Sequence, residues 1–194
     1  VSIWPQPVEL PDPVIRFDED ETHASYDADA VERFWQILVR VHHLFTQHRA
    51  GFVGKVSPVH FFWGAFDLAV TRFSGRTAPE HPGGVPNCAD WVMKEAYSHE
   101  VASAGFWPGM GYGEPAFYAY AYPEPAGYRE REGLPEGTVF LEALGEYVLP
   151  YSAVQAAADP DGLIMAFLEQ TYAAAADLAN WDRAALEAVL PPPP

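Results

Sequence analysis

Prolines and glycines divide this chain into segments that can form regular structure and segments that cannot. The 194 residues include 19 prolines and 15 glycines, and many of them are clustered. They are concentrated in the stretches 5–13, 78–87, 108–115 and 191–194. Because proline has no backbone N–H to donate, such stretches interrupt helices and inner strands. The regular elements must therefore lie in the segments between these stretches.

Two of the uninterrupted segments have the periodicity of amphipathic helices. Apolar side chains recur at helical spacing after Asp29, which also begins a capping-box pattern, so we predict a helix over 29–48. Asp159 followed by Pro160 matches the start of a second helix, predicted over 160–176. These two helices should supply most of the cover for a sheet.

The segments between the two helices are predicted to be strands. Aromatic and β-branched residues dominate 59–73, 97–107 and 117–122, and each run ends at a proline or glycine. A further strand is plausible over 146–149. The order of helix, strands and helix predicts an α+β fold, with an antiparallel sheet of three to five strands packed by two main helices.

The predicted organisation is a single domain with two short flanking segments. The domain spans 27–190, after an extended acidic arm over 1–26 and before a proline tail over 191–194. The chain begins with Val1 and has no initiator methionine, so we expect it to be a piece of a longer protein.

The charge excludes two classes of partner. The chain has 27 acidic and 11 basic residues, for a net charge of -16, so it offers no basic surface to nucleic acid or to anionic membranes. No apolar run is long enough to span a bilayer, and no secretion signal is visible. With a single cysteine, Cys88, an intrachain disulfide is impossible. These features predict a cytoplasmic protein.

Isolated ionisable residues interrupt the aromatic strands, which is typical of a pocket wall. His60 and Asp67 lie in the first aromatic run, and His99 and Glu100 lie in the second. A carboxylate that orients an imidazole makes an acid–base pair, so we take His60 or His99 as the catalytic acid/base and Asp67 or Glu100 as its partner. The sequence thus predicts a protein that binds a small molecule. If this protein is an enzyme, the expected chemistry is acid–base catalysis by this pair.

Two arginines suggest an anionic or aromatic ligand for this pocket. Arg72 lies an even number of residues from His60 and could share its face of the strand, where a guanidinium would bind a carboxylate or phosphate. Arg76 follows at a probable strand end and could lie at the pocket mouth. The other reading of Arg72 is an internal salt bridge. The predicted aromatic contacts to the ligand are Trp63, Trp107, Tyr118 and Tyr120.

Two other functions remain open from the sequence. His60, His99 and Asp67 could form a metal site, although strand alternation places His60 and Asp67 on opposite faces unless a bulge intervenes. We therefore assign no metal and no cofactor, and the common nucleotide and zinc-protease motifs are missing. The chain could instead be a non-catalytic interaction module whose aromatic residues form the core.

Three long motifs closely resemble an uncharacterised bacterial family called domain of unknown function 5996. They are residues 55–76, 95–109 and 116–125, and the resemblance extends from Pro11 to Arg183. The family has no established activity, so the resemblance implies kinship without a reaction. Its members are longer and carry an N-terminal half with its own helix, strands and helix. The resemblance therefore implies half of a pseudo-symmetric architecture, which would self-associate or bind a complementary N-terminal half.

Overall fold

The computed structural model describes residues 19–22, 25–62, 64–85 and 88–188. The sheet predicted from the aromatic runs is present. Its strands are β1 (His60–Phe62), β2 (Asp67–Thr77), β3 (His99–Trp107), β4 (Ala116–Tyr122), β5 (Val139–Leu141) and β6 (Glu146–Pro150). They lie in the order β1-β2-β3-β4-β6-β5, and each neighbouring pair is antiparallel. The α+β prediction is confirmed, and the sheet has one strand more than the upper limit predicted.

Five helices accompany this sheet in the described residues. They are α1 (Ala28–Ala50), α2 (Asp90–Ala96), α3 (Tyr151–Ala156), α4 (Pro160–Leu178) and α5 (Arg183–Leu186). The two main helices lie where the periodicity predicts them. α1 begins slightly earlier than expected because Asp27, rather than Asp29, is its N-cap and accepts the Ala30 N–H at 3.0 Å.

One face of the sheet, here called the core face, packs against α1 and α4. It carries the side chains of Leu68, Val70 and Phe106, which are almost fully buried. From the helices, Phe45 packs edge-on against Phe117 with ring centroids 6.3 Å apart. Burial of large apolar side chains on this face is the main stabilising term of the fold.

The opposite face of the sheet, here called the cleft face, is bordered by the short helix α2. Because side chains alternate along a strand, the residues between those of the core face point here, beginning with Asp67 and Ala69 on β2. α2 and the segment before it contact only part of this face, which leaves an open cleft over the centre of the sheet. The fold thus places the core on one side and a solvent-accessible site on the other.

Two further predictions concern the ends of the chain and its self-association. Most of the predicted arm over 1–26 and the whole proline tail over 191–194 lie outside the described residues. α1 exposes Val31, Trp35 and Val39, and self-association through such a surface stays a prediction. None of the described helices combines the length and apolar character needed to cross a membrane.

Candidate functional site

A cleft of about 530 Å³ lies over the centre of the cleft face. This volume is within the ordinary range of small-molecule sites. The strands β1 to β4 form its floor, α2 borders it, and the β5–β6 hairpin contributes Leu144 and Glu146. The aromatic side chains that line it are Phe62, Phe73, Tyr97, Trp107, Tyr118 and Tyr120. Three of the four predicted aromatic contacts therefore lie here, and the fourth, Trp63, lies outside the described residues.

The hairpin of β1 and β2 brings His60 and Asp67 into the same cleft. His60 pairs with Ala69, and Phe62 pairs with Asp67, so the residues of each pair share a face. The prediction that His60 and Asp67 lie on opposite faces is wrong because it counted residues as if β1 and β2 were one continuous strand. Four residues connect Phe62 to Asp67, so residues that pair across the hairpin are an odd number of positions apart in the sequence. His60 and Asp67 therefore share a face without a bulge.

Tyr118 crosses the floor of the cleft to reach Asp67. Its hydroxyl donates a hydrogen bond of 2.6 Å to the Asp67 carboxylate, from β4 to β2. The ring passes over β3 at Gly105, where a Cβ atom would overlap the ring and its hydroxyl. Gly105 is therefore the residue that lets this hydrogen bond span the intervening strand. Burial, reinforced by the Asp67 charge, raises the pKa of Tyr118, so its hydroxyl keeps its proton.

Glu146 contributes a second carboxyl group to the cleft. It is the first residue of β6 and is only partly exposed. Burial, and secondly the charge of Asp67, raises the pKa of Glu146 to about 7. No hydrogen bond to its carboxyl group is formed by any residue that the structure describes. At neutral pH this group can therefore either give up or accept a proton.

Two pairs of hydroxyl groups also line the cleft. The hydroxyls of Tyr97 and Tyr120 lie 2.8 Å apart, and burial raises the pKa of both phenols. The hydroxyls of Thr71 and Ser103 also lie 2.8 Å apart. These pairs fix the side chains around the carboxyl groups, as expected for a pre-formed binding site.

Arg72, predicted to bind the ligand, lies on the core face instead. It pairs in register with Ala102 and is only 2% exposed. Its guanidinium bonds both Glu169 carboxylate oxygens at 3.2 Å and the carbonyl of His48, and it lies 4.2 Å from the Tyr172 ring centroid. The prediction that Arg72 shares a face with His60 is therefore wrong. The structure shows the other interpretation, an internal salt bridge.

Arg76, His99 and Glu100 also lie away from the cleft. Arg76 pairs with Glu100 at 2.7 Å and donates to the carbonyl oxygens at the end of α4. His99 Nδ1 lies 3.1 Å from the Ser98 hydroxyl. His99 is six residues along β3 from Gly105, the residue level with His60, which is about 20 Å of strand. A pairing of His60 with Glu100, or of His99 with Asp67, is therefore not formed.

The same separation breaks up the alternative metal set. His60 and Asp67 line the cleft, but His99 lies at the far end of β3. Among the residues that the structure describes, no group of three or more His, Cys, Asp or Glu side chains is close enough to hold a metal ion. The predicted set of His60, His99 and Asp67 is thus wrong as a single site.

The site includes residues that the sequence alone did not single out, among them Glu146 and Tyr97. Glu146 precedes the apolar run Tyr147 to Leu149, so it meets the criterion that selected His60 and Asp67, an isolated charge on an apolar strand. Tyr97 was assigned to a strand, but it caps α2, a seven-residue helix after a proline-rich stretch. The sequence therefore contained a signal that could have identified Glu146 as a site residue, but it contained none for Tyr97.

Comparisons with known proteins give a family and no activity. The model of a family of unknown function, DUF5996, matches residues 1–188 of the chain. No curated protein and no solved structure matches it. The geometry of the cleft is therefore the basis for any statement about function.

Proposed function

Because the chain belongs to DUF5996, a family of unknown function, we propose its function from the cleft itself. The cleft binds a small organic molecule, and Glu146 exchanges a proton with that molecule. The observation that carries this proposal is the convergence of two carboxyl groups and three tyrosines in an open cleft of about 530 Å³. A plain structural sheet does not need buried acids on a face that its helices leave open.

Glu146 suits proton transfer at neutral pH. A general acid or base works best when its pKa lies near the operating pH, and the pKa of Glu146 is raised to about 7. Asp67 differs because the Tyr118 hydroxyl donates to it. Two carboxyl groups in different surroundings can take different roles, one holding a proton and the other holding a charge.

Tyr118 and Gly105 are positioning residues in this proposal. Tyr118 remains protonated and donates to Asp67, which fixes the direction of that carboxylate. Gly105 allows the Tyr118 ring to lie where it does. His60, predicted from the sequence as an acid/base, is an exposed residue of the same lining and supplies a further polar contact at the edge of the cleft.

Two earlier expectations belong with this proposal. The acidic composition and the single cysteine support a cytoplasmic location for the activity. The exposed apolar side chains of α1, with Trp35 60% exposed, support self-association.

The test is an NMR screen with small neutral, anionic and cationic organic compounds. We expect at least one compound to shift the Trp107 indole N–H and the Tyr118 ring signals, because these side chains line the cleft. The indole of Trp181, which lines a separate hollow near the end of α4, is the internal control and should not move. A screen in which no compound shifts Trp107, or in which binders shift Trp181 alone, would contradict the proposal.

A further inference from the structure

We propose that the molecule bound in this cleft is a primary ammonium cation carried on an apolar stem, with Glu146 and Asp67 as its counter-ions. This inference rests on the proposed function and names the substrate class of the same site. It reverses the expectation of an anionic ligand, which depended on arginines that lie elsewhere.

The charge around the cleft favours a cation. Of the described lining residues, none is a lysine or an arginine, and Asp67 and Glu146 are the acidic ones. The two arginines that the sequence assigned to this pocket form salt bridges outside the cleft lining. Arg72 bonds Glu169, and Arg76 bonds Glu100. An anion in this cleft would lie close to two carboxyl groups and would meet no basic side chain among the described lining residues, which is unfavourable in a partly desolvated site.

The hydrogen-bonding groups also favour a donor over an acceptor. An ammonium group has three N–H donors, and the Glu146 carboxyl group has no hydrogen bond from the described residues. Two donors of the lining are already used, because the Tyr118 hydroxyl donates to Asp67 and one hydroxyl of the Tyr97–Tyr120 pair donates to the other. The Glu146 carboxyl group is thus an acceptor that remains open to a ligand.

The aromatic lining fits both parts of such a ligand. Ring faces attract cations through their quadrupole and bury apolar stems. Trp107 and Tyr118 lie 5.8 Å apart between centroids, and Tyr118 and Tyr120 lie 6.2 Å apart in a stacked arrangement. A volume of about 530 Å³ exceeds what a bare ion fills, so the cation must carry an organic stem.

The inference carries a specific pH dependence. With the pKa of Glu146 raised to about 7, its ionised fraction rises about tenfold between pH 6 and pH 8, and affinity for a cation should rise by up to the same factor. The other titratable groups of the described lining are His60 on β1, Asp67 on β2, Cys88 and Tyr97 on either side of α2, and Tyr118 and Tyr120 on β4. The Glu146→Gln variant separates the contribution of Glu146 from that of these other groups.

The test compares three probes of nearly equal shape: 2-phenylethylammonium, 2-phenylethanol and phenylacetate. Binding is measured by NMR titration of the Trp107 indole signal at pH 6 and pH 8. We expect the ammonium probe to bind at least tenfold more tightly than the alcohol at pH 8, and phenylacetate to bind weakest. Glu146→Gln should remove most of that preference and its pH dependence. Glu142→Gln removes the same charge from the β5–β6 turn, outside the lining, and should change neither.

The other outcomes separate this inference from the proposed function. If the three probes bind equally, or the anion binds best, the cleft is still a ligand site and the cation inference is overturned. The same holds if other compounds shift Trp107 and the ammonium probe does not. A preference that survives Glu146→Gln unchanged would also overturn it. If no compound of any charge binds at Trp107, the proposed function itself fails.

Discussion

Replacing Glu169 with alanine should lower the free energy of unfolding by about 2–4 kcal/mol at pH 7. The substitution leaves the Arg72 guanidinium, 2% exposed on the core face, without its carboxylate partner. A buried charge stripped of its partner costs several kcal/mol, and the lower part of that range applies here because the Glu169 side chain is 46% exposed. The Nδ1 atom of buried His48, 2.7 Å from Glu169, also loses its partner. The measurement is urea unfolding followed by circular dichroism.

The effect of Glu169→Ala should depend on pH in one direction. Burial alone would raise the pKa of Glu169, but the hydrogen bond from His48 and the charge of Arg72 lower it to about 2. A carboxyl group whose pKa is depressed in the folded state stabilises the fold fully above its unfolded value, about 4.3, and progressively less as the pH falls toward 2. The difference between wild type and Glu169→Ala should therefore shrink across this interval.

The control is Arg40→Ala, which breaks an exposed ion pair between the same two helices, α1 and α4. Arg40 and Asp161 lie 2.8 Å apart with side chains 66% and 42% exposed, so the loss of stability should be small. If Glu169→Ala costs no more than Arg40→Ala, the Arg72 cluster does not have the structural role given to it here.

Replacing Gly105 with alanine should disrupt the cleft while leaving the core face in place. The added Cβ would overlap the Tyr118 ring, which must move and lose its 2.6 Å hydrogen bond to Asp67. Overpacking of this kind costs about 1–3 kcal/mol of stability. We expect at least a tenfold loss of affinity for any cleft ligand, measured by NMR titration, together with a new position of the Tyr118 ring signals.

Two controls show whether the effect passes through Tyr118. Gly51→Ala adds a Cβ in ordinary contact, 3.6 Å from the His48 carbonyl oxygen, and should cost far less. In a Tyr118→Ala background the ring is gone, so the stability cost of Gly105→Ala should largely disappear. An equal cost in both backgrounds would mean that Gly105 matters for another reason.

The fold was largely predictable because its main elements carry strong periodic signals. α1 and α4 have long apolar stripes, and β2, β3 and β4 are dense in aromatic and β-branched residues. The missed elements are short: β5 has three residues and α2 has seven. Segments of this length are too short to show a period, and tertiary contacts decide their structure.

The site was only partly predictable because strand pairing decides which side chains meet. His60, Asp67, Trp107, Tyr118 and Tyr120, which the sequence assigned to one pocket, line the same cleft. The faces of Asp67 and Arg72 were assigned wrongly, since counting residues along the chain ignores the turn between β1 and β2. Arg72 was therefore assigned to a ligand, whereas its buried guanidinium pairs with the partly exposed Glu169.

The most direct test of the account is the titration of the Glu146 carboxyl carbon by ¹³C NMR, with Glu146→Gln used to assign the signal. The account predicts a midpoint near 7, because burial and the neighbouring Asp67 disfavour the charged form. The ordinary pKa of a glutamate carboxyl group is about 4.3. A Glu146 midpoint near that value would show an ordinary surface acid, and the acid–base cleft proposed here would be contradicted.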